Sequence, residues 1–181
     1  MLKDKLIPEI ELKENVKCFL DYALPAIGCR NNFHKTTELE NALLTGYVPN
    51  MGSLSCFFPN AFNWMLSYLK KNSEDIYNIT PDEIRSYFWI GHSEVIDKGL
   101  DIYSSYPKEA RNNCKVRFGR VDRICENQAY INFEDRILRP PVLIQNNLSL
   151  QLKDLVSIHA GQIAESIDEE LYKRIMGKNY K

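Results

Sequence analysis

Along the first part of the chain, apolar residues recur at helical spacing. They fall at Leu12, Val16, Phe19, Leu20 and Ala23, one face of a helix that Pro25 and Gly28 end. Thr37 and Glu40 have the spacing of a capping box for a short helix stopping at Gly46, and a polar loop is expected over 45–56. Pro59 sits in the first turn of the next helix, whose stripe is Ala61, Trp64, Met65, Tyr68 and Leu69. The clearest start signal is Thr80-Pro81-Asp82-Glu83: a cap, a proline at the first helical position, and a carboxylate three residues after the cap. It leads into Ile84, Tyr87, Phe88 and Trp89. Gly91 is expected to stop that helix before His92 and a second helical stretch, Glu94 to Lys98. Tyr103 to Pro107 and the Lys-Glu-Ala-Arg-Asn-Asn run after it read as a linker.

Beyond that linker the period changes to two. Val116, Phe118, Val121 and Ile124 alternate with one slip, and Gly119 at the slip suggests a bulge or tight bend. Glu126-Asn127 predicts the hairpin turn into a return strand with Ala129, Ile131 and Phe133 on one face. Pro140-Pro141 cannot sit in a central strand and marks an edge or crossing. In the last strand Val156, Ile158 and Ala160 point to one side, Ser157 and His159 to the other. If the first set fills a barrel, His159 is expected to be exposed. A closing helix is expected after Ser166 as cap, with Glu169 three residues on. The fold class is therefore α+β: an N-terminal helical domain over 1–110, then a small antiparallel OB-like β-barrel with a C-terminal helix over 111–181.

Composition narrows this only a little. A hydrophobic fraction of 44% and a charged fraction of 26% are ordinary for a globular chain. The formal net charge of −1 gives no global pull toward nucleic acid or an anionic membrane. The basic residues Lys115, Arg117, Arg120 and Arg123 raise an oligonucleotide-binding barrel, but a solvated strand face accounts for them. No apolar run is long enough to span a membrane, and residues 1–8 hold no signal-peptide core, so a cytoplasmic protein without a membrane partner is expected. The five cysteines are odd in number and dispersed, which excludes a disulfide framework or a local zinc knuckle. Cys18 and Cys125 are expected to be buried free thiols.

The chemistry concentrates at Cys114 and His159. One precedes the first strand and the other nears the end of the last, so neighbouring strands would bring them together. A thiolate with an imidazole can ligate iron, nickel, copper or zinc, or act as nucleophile and base. Cys29 and His34 lie in the loop after the first helix, and His92 follows Gly91; the three are candidates for an additional site. For His92, capping of the preceding carbonyls is the simpler role.

Two motifs carry a family resemblance. Cys114-Lys-Val-Arg-Phe-Gly-Arg-Val121 resembles the opening of the hydrogenase maturation chaperone HypC, Cys-x-x-x-Pro-Gly-x-Val. Lys153-Asp154-Leu155-Val156-Ser157-Ile158-His159-Ala160-Gly161 resembles its second signature, Gly-Asp-x-Val-x-Val-His-x-Gly. The chain as a whole resembles an uncharacterised family in which a helical half with a Tyr-Ala-x-Pro…Gly-x-Cys segment, here Tyr22 to Cys29, precedes a HypC-like barrel. Phe118 stands where HypC has proline, and Cys114 is internal where the HypC cysteine follows the initiator Met. The resemblance implies a non-catalytic carrier or maturation chaperone. Cys114 and His159 would hold iron with diatomic ligands, or another transition metal, for a protein client: a hydrogenase-type metalloenzyme or its maturation factor. The alternatives are a cysteine-dependent enzyme using the same pair, and a protein-interaction scaffold without chemistry.

Overall fold

The computed structural model describes residues 13–25, 38, 39, 41, 45–133, 141–144 and 148–177. Gly28, the Thr37–Glu40 box, Pro140, and with them Cys29 and His34, lie outside the described residues. The fold is mixed α and β, and no described helix is long and apolar enough to cross a membrane. It divides into two compact units, residues 1–84 and 85–181. Residues 85–110, grouped by sequence with the helices before them, thus belong to the unit that holds the strands.

In the first unit, α1 (Glu14–Ala23) buries Val16, Phe19, Leu20 and Ala23 as its period requires, together with Cys18 and Tyr22. Phe19 packs against the rings of Phe58 and Phe62, with centroids 5.6 and 4.5 Å away. The loop expected over 45–56 is instead largely helical: α2 spans Met51–Phe57. Asn50 caps it by accepting from the Ser53 amide, while the Asn50 amide donates to the Ser53 hydroxyl. That reciprocal box uses serine in place of glutamate, and Gly52 and the serines are weak helix formers, so the sequence hid it. Pro59 opens α3 (Pro59–Leu69), which stops at left-handed Lys70. The cap of α4 (Pro81–Ser86) is the one expected. The Thr80 amide donates to the Glu83 carboxylate at 2.9 Å, and the Glu83 amide donates back to the Thr80 hydroxyl.

Among the described residues the second unit contains five strands: β1 (Arg117–Cys125), β2 (Gln128–Asn132), β3 (Val142–Ile144), β4 (Leu155–His159) and β5 (Gln162–Ile167). They close in the order β1-β2-β3-β5-β4, with β4 returning to pair with β1. Sequence predicted a wholly antiparallel barrel, and this is corrected: β3 runs parallel to β5. Val121, Ala129, Phe133, Val142, Val156, Ile158 and Ile163 fill its interior. The bulge lies between Val121 and Arg123 and not at Gly119. Gly119 serves close approach instead: a Cβ there would strike Ile131 and lie 2.9 Å from the Asn132 carbonyl oxygen. The hairpin turn at Glu126-Asn127 falls where sequence put it. The closing helix, α7 (Glu169–Gly177), is capped by Asp168, whose carboxylate accepts from the Leu171 amide; Ser166 is still in β5.

Candidate functional site

Between α4 and β1 the chain is helical almost throughout. Gly91 does not stop a helix. The backbone forms a π turn over Tyr87–Gly91 and continues, with helical angles at Gly91, into α5 (His92–Asp97). The expected linker contains a 3-10 turn (Asp101–Ser105) and α6 (Lys108–Asn113). Pro107 stands at the N-cap of α6, and Lys, Glu, Ala and Arg are good helix formers, a signal that the polar composition masked. Cys114 is the C-cap residue of α6, and its amide donates to the Arg111 carbonyl.

His159 is the last residue of β4. Ala160 and Gly161 follow it with φ of 49° and 80°, and His159 pairs with Gln162 across the turn. Two left-handed residues make the tight hairpin whose twist suits the strands. His159 and Ser157 do face away from Val156 and Ile158. Yet His159 is fully buried and Ser157 likewise, so the expected exposure is corrected. The burial comes from residues 85–97, which lie over the outer face of β1, β4 and β5 as a second layer.

Three sets of contacts hold that layer. Arg85 Nε donates to both oxygens of Glu165 at 3.1 and 2.9 Å, and its Nη2 lies 2.9 Å from Oε2. Trp89 meets Phe118 edge-on at 4.9 Å, and Phe118 meets Tyr172 of α7 at the same distance. Phe88 and His92 pack on the His159 ring, with centroids 5.9 and 5.3 Å away. Phe118 thus supplies an aromatic surface between Trp89 and Tyr172.

The candidate residues therefore gather as follows. His159 Nε2 lies 2.9 Å from the Cys114 carbonyl oxygen; a carbonyl only accepts, so this nitrogen carries a proton and donates it. Cys114 is 3% exposed. His92, also buried, meets His159 edge to face at an interplanar angle of 85°, and its Nε2 shares a 2.9 Å hydrogen bond with the Tyr103 hydroxyl. Sequence named Cys114, His159 and His92 but missed Tyr103. Nothing in the local pattern marks a linker tyrosine as buried. Of the other cysteines, Cys18 is buried as expected, while Cys125 and Cys56 are exposed.

Nε2 of His159 is spent as a donor to the backbone, which leaves Nδ1 as the ring nitrogen that carries the lone pair. Among the described residues, no three or more His, Cys, Asp or Glu side chains gather as a metal-holding group. Cys114 and His159 are both enclosed, so neither side chain meets solvent. A thiol enzyme would need its nucleophile to meet substrate, and Cys114 is 3% exposed.

No protein-family model, curated protein or solved structure matches the chain.

Proposed function

We propose that this chain is a non-catalytic assembly factor, an interaction protein of the HypC type whose partner is a protein client. The client class implied by the motif resemblance is a hydrogenase-type metalloenzyme or one of its maturation factors. One observation carries the non-catalytic part: Cys114 and His159 are both buried, out of reach of a substrate, with the His159 imidazole donating to the Cys114 backbone carbonyl. That bond uses the pair to join the start of β1 to the end of β4, at the positions the two motifs nominate. An OB-like barrel suits the same reading, since five strands in a closed Greek-key order with a helix attached form a rigid platform for loops and side chains. The supporting features are the strand order and the paired motifs.

The test co-expresses the full chain with a precursor of a nickel–iron hydrogenase large subunit and measures complex formation by size-exclusion chromatography. In parallel, wild type, Cys114→Ser and His159→Ala are treated anaerobically with iron and analysed for metal. The proposal expects a complex with the precursor, no ester hydrolysis, and equal, low iron in all three chains. Stoichiometric iron in wild type that both substitutions abolish would replace it with the metal-carrier reading. Absence of any complex would overturn the client assignment.

A further inference from the structure

We draw no further inference here: the strongest candidate, the outer face of β1, β2 and β3, where the Arg123 guanidinium lies 3.9 Å from the centroid of the Tyr130 ring and Leu143 is exposed on the neighbouring strand, is a sheet face for which nothing in the structure shows what covers it.

Discussion

On β4 two pairs of side chains are equally hidden from water and stay hidden for different reasons. Val156 and Ile158 enter the closed interior and pack in its apolar cluster. Ser157 and His159 point outward, and His159 is hidden because a separate helical layer, through Phe88 and His92, lies over it. The inner face is held by shape and area alone. The outer face contains polar atoms that must each be answered: the Cys114 carbonyl by His159, Glu165 by Arg85, and His92 by Tyr103. Alternation along a strand thus tells which residues share a face. It does not tell which face meets water.

The comparison can be broken first at the inner face. Ile158→Ala removes packed methyl groups from a site where the surroundings cannot collapse freely, and a loss of about 2–5 kcal/mol is expected by urea unfolding of the full chain. A loss no greater than that of a typical surface substitution would show the interior to be loosely packed. At the outer face, His159→Phe keeps the ring but withdraws the donor from the Cys114 carbonyl. It should cost about 1–3 kcal/mol in the same assay, with His159→Gln recovering part of the loss because it retains an N–H. Equal stabilities for the two variants would mean that packing, and not the hydrogen bond, is what His159 supplies.

The smallest effect lies in the first unit and contrasts an open ion pair with the enclosed Arg85–Glu165. Burial of Glu83 raises its pKa, but hydrogen bonding and charge from Lys71 and the Thr80 cap outweigh this, leaving it below the ordinary 4.5. A folded pKa depressed in this way contributes stability that is present above about 4.5 and is lost as the pH falls through the lower folded value. Glu83→Gln should therefore lower the melting temperature slightly at pH 7 and lose that difference in strong acid, as read by thermal unfolding across the range. A difference that persisted in acid would assign the effect to helix propensity.

The parts of this molecule that sequence made legible were those set by local rules. The Thr80–Glu83 cap, the α1 stripe and the Glu126-Asn127 turn depend on neighbours in the chain, and each is where its residues indicated. The nearness of Cys114 and His159 was legible too, because it follows from which strands adjoin. What escaped was tertiary. Gly91 usually ends a helix, but here buried aromatics on both sides carry the helix through it. The parallel β3–β5 pairing depends on a crossing that no single strand announces. His159 looked exposed because its cover comes from residues 85–97, whose own apolar stripe gave no hint of which surface it would meet.

That cover bears on where the barrel begins as a module. The strands and both motifs start after residue 113, so a cut at 110 appears natural from sequence alone. Such a fragment would keep Cys114 and His159 but would leave behind Arg85, Phe88, Trp89 and His92. Glu165 would lose its cation, Phe118 and Tyr172 would lose the indole between them, and the His159 face would open to water. The smallest portion with both faces of β4 dressed starts at Arg85, inside a helix.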